Sequence, residues 1–594
     1  MLPHHDGSAL HVPNQAPVPG ETVTVFARVP ATVHSVHVRS TPDGEPRITE
    51  AVPDRVDGDE VWWRAEVEVR NPVTRYRFLV DGCWLTAAGL VAHDVPDATD
   101  FRLVAYDPPP AWLRDAIVYQ VFPDRFGRSA GAAGRAYPEW AIACDWDTPV
   151  VPRGPETPRQ LYGGDLDGIA EHLDHIARTG ANTVYLTPIF PARSNHRYDA
   201  AAFDRVDPLL GGDGALRRLA DAVHARGWHL IGDLTTNHCG DGHPWFTAAV
   251  SGIDAPERAM FYFDRDSGDY ESWYGHKTLP KFNWASAELR HRFLDPPDGV
   301  VGRWLDVLDG WRVDVANMTG RRGTDDLNHE VARLLRRAAV AARRDAALVA
   351  EHVHDSSDDV DRDGWHGTMN YTGFLRPVWS WLRADDLGLP DFLGVPGGVP
   401  RRGGPATVDT MRAFAGRVSW RALVHSWSLL GSHDTARIRT VVGDAARHEV
   451  AVALLMTLPG TPMVFSGDEV GSTGTNGEGS RTPFPWPRPD SWDTATLARY
   501  ASLAALRRTH EALRHGGLRW LHAGDDVLVY LRETAGERLL VQARRASGPG
   551  VRLRVTAAEC LYGNAAGLVA GAGGVAELPG DGPSCAVWRI ASPG

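Results

Sequence analysis

The feature that most constrains this chain is a change of period that recurs over about 400 residues: a short apolar run, a loop rich in Gly or Asp, then apolar residues three and four apart. The first run is IVYQVFP (117–123). In DLDGIAEHLDHIARTG, Ile169, Leu173 and Ile176 share one helical face, and Gly180 stands where a glycine closes a helix. NTVYLTP follows. GALRRLADAVHARG then places Leu216, Leu219 and Val223 on one side with Gly227 at its end, and WHLIGDL is the third strand. Five more runs complete the set: DGWRVDV (309–315), AALVAEH (346–352), the weak GTMNYT (367–372), WSLLGSH (427–433) and TPMVFSG (461–467). Eight strands alternating with helices predict an α/β chain built on a (β/α)8 TIM barrel. A doubly wound sheet would need a Gly-rich phosphate turn after its first strand, and none is present.

The pattern differs on either side of this stretch. From residue 20 to 107, runs such as ETVTVFARV, VWWRAEVEV and TRYRFLV alternate between Pro, Gly and Asp clusters, as in a small β-sandwich. Asp107-Pro108-Pro109-Pro110 cannot continue a strand ladder and marks a boundary. The expected division is an N-terminal β-sandwich domain at 1–110, the barrel at 111–516 and a C-terminal β-sandwich domain at 517–594. The aromatic, Gly- and Asp-rich residues 239–290 form a loop excursion between the third strand and its helix. Trp62 and Trp63 are neighbours in a strand, so one of them faces out of the sandwich. His4 and His5, ahead of the first strand, are expected to be disordered. LRRAAVAARR (335–344) reads as a solvated helix face, and His352 and His354 as structural histidines rather than metal ligands.

Active sites of such barrels lie at the carboxyl ends of the strands, so the polar residues that end each run carry the information. The third run ends at Asp233, with Asn237 and His238 just beyond; the fourth carries Arg312 and Asp314, the fifth Glu351, the seventh His433 and Asp434. Arg312 and Asp314 are two apart on a strand and share a face, where the guanidinium favours an ionised carboxylate. Glu351 leaves an apolar run whose low dielectric raises a carboxyl pKa, which suits a proton donor. One charged and one protonated carboxyl is the pairing a glycosidase needs. A single acid at a strand end is more often a cap or an ion-pair partner; delivery by four strands together points to chemistry.

At these residues a resemblance becomes visible. DLTTNH, GWRVDVAN, VAEH and GSHDT resemble, in order, the four signature segments of the α-amylase family of glycoside hydrolases. YQVFPDRF, GGDLDGIAEHLDHIARTGANTVYLTPIF, SNHRYD and LPKFN are similar to its neopullulanase, cyclomaltodextrinase and maltogenic amylase branch. The resemblance implies a nucleophile at Asp314, an acid/base at Glu351 and a transition-state stabiliser at Asp434. It implies that Arg312, His238 and His433 line the same subsite, that Tyr198 stacks beneath the sugar, and that Asp199 supports the site. Lys281 and Asn283 lie in the segment that marks the branch, and Arg481 sits on the donor side. This sequence departs from the family in having Met318 where a glutamate is usual, Val353 in place of an aromatic, and Gly477 and Glu478 where an Asp precedes Arg481.

The implied substrates are short, cyclic or branched malto-oligosaccharides, hydrolysed with retention and in part transferred to other sugars. An α-glucosidase or a glucosyl or maltosyl transferase of the same family is the nearest alternative. A metal-dependent barrel hydrolase is opposed by the fixed cation Arg312 beside Asp314, and a non-catalytic glucan-binding subunit by the presence of all three carboxylates. Related enzymes hold calcium in the loop after the first barrel strand, but GRSAGAAGRAYP (127–138) offers no carboxylate or amide and adds Arg128 and Arg135, so neither a metal nor another cofactor is expected. Lys and Arg total 62 against 75 Asp and Glu, a net charge of −13 that disfavours nucleic acid. No apolar run is long enough to span a membrane, the start lacks a secretory pattern, and the five cysteines are scattered, so a cytoplasmic protein is expected. By resemblance it is a homodimer, the N-terminal domain narrowing a partner's entrance.

Overall fold

The computed structural model describes residues 2–264, 266–555, 558–569, 571 and 574–590. Eight parallel strands form the central sheet: β1 (Val118–Val121), β2 (Thr183–Leu186), β3 (His229–Thr235), β4 (Gly310–Asp314), β5 (Ala347–Ala350), β6 (Gly367–Thr368), β7 (Trp427–Leu429) and β8 (Thr461–Phe465). They are ordered β6-β5-β4-β3-β2-β1-β8-β7, and a bridge between Met369 and Trp427 closes the barrel. Both faces of these strands are covered, which is why they read as apolar runs without alternation. The weak sixth run forms only a two-residue strand.

Period two within β4 sets the chemistry. Trp311 and Val313 point outward into the helical layer, where the Trp311 indole donates to the Val301 carbonyl at 2.9 Å, so Arg312 and Asp314 point into the barrel. The register Asp233↔Arg312, Thr235↔Asp314 and Val313↔Ala350 then puts the polar ends of β3, β4 and β5 at one level. A Cβ on Gly232, beside Trp311, would lie 2.6 Å from the indole; only glycine allows this approach.

The helix Gly212–His224 buries Leu216, Leu219 and Val223 as its spacing predicts, and Gly227 follows with φ +70°. DLDGIAEHLDHIAR, in contrast, forms two short helices, Leu166–Glu171 and Leu173–Arg178, broken at His172. The imidazole of His172 binds the Gly168 carbonyl at 2.7 Å, and a Cβ on Gly168 would meet the Gly127 carbonyl at 2.3 Å, so loop packing overrides the helical period.

The N-terminal sheets, one of three strands and one of six, enclose Val23, Val25, Val38 and Phe78. Trp63 packs on this core. Trp62 faces the other way, yet it is only 2 % exposed, covered by Arg55, Arg28 and His11 of its own chain. Arg28 contacts Glu533 at 3.2 Å and Arg519 contacts Glu60 at 2.6 Å, clamping this domain to the C-terminal one. That domain packs a five-stranded sheet against a two-stranded one around Val529, Leu540 and Trp588.

Two expectations are corrected. His4 and His5 are ordered: the His4 amide binds Arg28, and buried His5 binds the Phe26 carbonyl at 2.7 Å and the Tyr76 hydroxyl at 2.9 Å, because the segment lies against the first strand. Within 335–344, Arg336 is buried and donates to the Gly364 and Asp107 carbonyls, tying its helix to the boundary Pro run.

Candidate active site

One buried guanidinium organises the carboxyl ends of β3, β4 and β5. Arg312 is 0 % exposed, and its Nη1 lies 2.9 Å from Asp233 and 3.0 Å from Asp314 while its Nη2 lies 3.0 Å from Glu351. Burial works against the arginine's charge, but Asp233 and Glu351 outweigh it and hold its pKa well above the ordinary value. A single cation facing three carboxylates cannot neutralise them. Burial, then the charge of Glu351, drives the Asp314 carboxyl well up, and burial also raises Glu351. Desolvation thus holds both carboxyls toward their protonated forms. The expectation that Arg312 keeps the Asp314 carboxylate ionised is corrected: burial and Glu351, which β5 brings to the same guanidinium, outweigh the arginine and drive Asp314 up.

Glu351 is further fixed by the Val315 amide, which donates to its Oε2 at 2.8 Å. Val315 adopts φ +35°, a region that β-branched residues avoid, so the turn that aims this amide is strained.

Two polar relays set the histidines. Lys281 donates to the Asn237 Oδ1, and the Asn237 amide donates to His238 Nδ1 at 3.1 Å. The His238 proton is thereby placed on Nε2, which has no hydrogen-bond partner and faces Asp314 at 3.9 Å. On the other side Gln120 donates to His433 Nδ1 at 2.8 Å, leaving Nε2–H to donate to the Tyr198 hydroxyl at 2.7 Å, with Asp434 at 3.1 Å. Tyr198 in turn donates to Asp233 at 2.8 Å, as does Tyr185 at 2.6 Å. Burial pushes both His238 and His433 down to about 3, so at neutral pH they are uncharged donors. Lys281 is lowered to about 8, also by burial.

Asp434 is the most open of the three acids, its side chain 39 % exposed. Desolvation within the cleft opposes its charge, but His433, Arg481 and Arg312 keep it below the usual carboxylate range. Arg481 reaches Asp434 at 3.0 Å and Glu478 at 2.8 Å, so Glu478 gives this arginine a second carboxylate partner. Two cavities meet at Asp434. One of about 560 Å³ is lined by Arg153, His196, Glu478 and Arg481, the other of about 280 Å³ by Val353, Tyr371, Trp379 and Leu393.

Not every residue singled out in the sequence joins this cluster. Asp199 accepts from Ser194 and from the Arg193 amide, shaping the loop that carries Tyr198; burial raises it to about 6. Asn283 spends its side chain on the Ala259 carbonyl and the Ala285 amide within the excursion, at 3.1 Å each. Its neighbour Lys281 reaches the site. Sequence reasoning passed over Gln120 and Tyr185; the signal available was a polar atom in the middle of each of two otherwise apolar strands.

The loop at 127–138 does not fit a calcium ion. Arg128 donates to the Tyr162 and Cys144 carbonyls, and Arg135 to Asp165 at 3.0 Å and to the Leu209 carbonyl at 2.5 Å, so guanidinium groups hold the oxygens a hard cation would need. His352 donates to Asp359 at 2.9 Å, which His329 also contacts at 2.9 Å, in an ion-paired cluster apart from the cleft.

Residues 120–372 and 406–495, more than half of the chain, match the catalytic domain of alpha amylase. A cyclomaltodextrinase from Bacillus sp is 30% identical over 508 residues, covering 81% of this chain and 83% of the relative. Neopullulanase 2 from Thermoactinomyces vulgaris is 28% identical over 431 residues, 71% of this chain and 67% of that one. Among solved structures, the cyclic α-maltosyl-(1→6)-maltose hydrolase from Arthrobacter globiformis, in complex with that sugar, aligns with a TM-score of 0.67 at 31% identity over 81% of this chain and 100% of that chain. The strand-end acids, the arginine between them and these likenesses converge: the chain is a glycoside hydrolase of the α-amylase family, in the branch of the cyclomaltodextrinases, neopullulanases and maltogenic amylases.

Proposed function

We propose that this enzyme cleaves α-1,4 bonds, and also α-1,6 bonds, of short, cyclic or branched malto-oligosaccharides with retention of configuration, transferring part of the product to sugar acceptors. The observation that carries the reading is Arg312, which holds Asp233, Asp314 and Glu351 around one buried cation. In the first step Asp314 attacks the anomeric carbon while Glu351 gives its proton to the leaving oxygen, forming a covalent glycosyl-enzyme. In the second, Glu351 takes a proton from water, or from a sugar hydroxyl, which displaces Asp314. In this reading the Nε2–H of His238, which has no partner within the protein, and the part-exposed carboxylate of Asp434 hold ring hydroxyls and favour the distorted ring. Neither step uses a metal or another cofactor.

Two relatives support the substrate class by what their names say they act on, cyclic maltodextrins and cyclic α-maltosyl-(1→6)-maltose. The two modest cavities that meet at Asp434 suit short or folded glucans. We further infer a cytoplasmic homodimer. Its support is the five unpaired cysteines and the exposed Ile48, Val52 and Val56 on consecutive N-terminal strands. Trp62 is not part of that face, since its own chain covers it. The deciding experiment is a time-resolved product panel on maltotriose, cyclodextrins, panose, pullulan and branched cyclic tetrasaccharides, with the anomer followed by NMR. Early products of inverted configuration would refute the role of Asp314, and turnover confined to soluble starch would refute the substrate class.

A further inference from the structure

Far from the carboxylates, the first residues of the chain bring two histidines and an aspartate together. Backbone pairing with the first strand places them: the His4 amide binds the Arg28 carbonyl at 2.8 Å, and the Phe26 amide binds the His11 carbonyl at 2.8 Å. Between them the Asp6 carboxylate accepts from the Ser8 amide at 2.9 Å and from the Leu518 amide of the C-terminal domain at 2.8 Å. The His4 Nε2 lies 3.9 Å from one Asp6 oxygen and the His11 Nε2 lies 4.0 Å from the other, and the three ligand atoms fall within 4.8 Å of one another.

The tautomer of His11 makes this more than proximity. Its Nδ1 is 2.9 Å from the Phe26 carbonyl, which can only accept, so the proton is on Nδ1 and the lone pair on Nε2. That Nε2 belongs to a side chain with no exposure, and it has no hydrogen-bond partner. An imidazole tied to a backbone carbonyl through one nitrogen with the other left bare is how proteins prepare a metal ligand. His5 offers the contrast, because both of its nitrogens are satisfied. Stacking of His11 on Trp62, centroids 5.0 Å apart, would be served equally by a phenyl ring and leaves the bare nitrogen unexplained.

We propose that His4, Asp6 and His11 bind one zinc-class divalent ion at a structural site that fastens the N-terminal segment to the C-terminal domain. Two imidazole nitrogens and a carboxylate suit zinc, cobalt or nickel, whereas calcium and magnesium ask for oxygen. Bonds of 2.0–2.1 Å set tetrahedral ligands about 3.4 Å apart, so each histidine must close on Asp6 by about half an ångström and the two histidines on each other by at most about 1.4 Å. His4 and Asp6 line a cavity of about 640 Å³ at the junction of the three domains, which gives an ion a way in and a fourth position to water.

The test uses the full-length chain without a polyhistidine tag, stripped with chelator. Titration with zinc by calorimetry, and with cobalt by its visible absorption, should show one equivalent bound with a Kd in the micromolar range or tighter. The Tm should rise on saturation, while hydrolysis of maltotriose stays the same with and without chelator. His4→Gln, at a part-exposed position, and His11→Phe, which keeps the ring against Trp62, should each weaken binding by about 100-fold and abolish the Tm response. No binding at 100 μM zinc would overturn the proposal, as would His4→Gln binding as tightly as the parent.

Discussion

Arg312→Met removes the buried cation while keeping an unbranched chain of similar girth. At 3.0 Å and an effective dielectric of about 20, one of its ion pairs has a gross attraction of about 5 kcal/mol. Desolvating the guanidinium offsets much of this, so the net cost of leaving the carboxylates unpartnered is about 3–5 kcal/mol. For a unit of this size that lowers Tm by about 5–10 °C. The pH dependence follows from sign. Without the cation the folded-state pKa values of Asp233, Asp314 and Glu351 rise further, so the variant's deficit is full above them and shrinks as acid protonates the cluster. Asp314 needs its charge to attack, so the acid limb of kcat/KM should move to higher pH, with a fall of about 10³-fold or more at neutral pH. Differential scanning calorimetry and kcat/KM on maltotriose, both from pH 4 to 9, would measure the two effects. An unchanged acid limb, or a Tm deficit that does not depend on pH, would refute the idea that one cation governs three acids.

Asp314→Asn and Glu351→Gln should each fold and lose about 10³-fold or more in turnover, read by initial rates at matched Tm. Val315→Gly relieves a left-handed valine worth about 1–2 kcal/mol and adds about 0.5–1 kcal/mol of chain entropy, so Tm should hardly move. Its loosened amide should nonetheless cost about tenfold in kcat, and an unchanged kcat would show that the strained turn does not position Glu351. Calcium added after EGTA should leave Tm unaltered; a rise would contradict the assignment of the loop oxygens to Arg128 and Arg135. Sedimentation should find a dimer, and a chain beginning at Pro110 should be a monomer that loses preference for short over polymeric glucans. It should also melt earlier, because Arg519 and Glu533 lose their N-terminal partners.

The barrel was readable because its strands are buried on both faces and so appear as largely apolar runs, ended by a proline, a glycine or a polar residue. The principal acids were readable for the same reason: Asp314, Glu351 and Asp434 break the apolar rule at strand ends. What the sequence hides is which cation serves which acid. Arg312 touches Glu351 only because β4 and β5 pair in a particular register, and register is a property of the closed sheet. Gln120 and Tyr185 were hidden by the same burial that revealed their strands, since a polar tip inside a barrel looks like a lapse until its partner is seen. The split helix at His172 shows local periodicity yielding to a close contact between two glycines, Gly127 and Gly168, that lie 41 positions apart. His4 and His5 were misjudged because position near a chain end says nothing of pairing with the first strand.

The clamp between the two β-domains has a meaning for synthesis. Glu60 and Arg519 are separated by 459 residues, so a ribosome adding about 5–20 residues per second leaves Glu60 without that partner for roughly 20–90 s. During that interval the N-terminal sandwich can form its own core, but Arg28 still lacks Glu533 and Asp6 still lacks the Leu518 amide. The nascent chain must therefore carry a folded but unfinished first domain through the making of the whole barrel, and the last sheet to emerge completes the first.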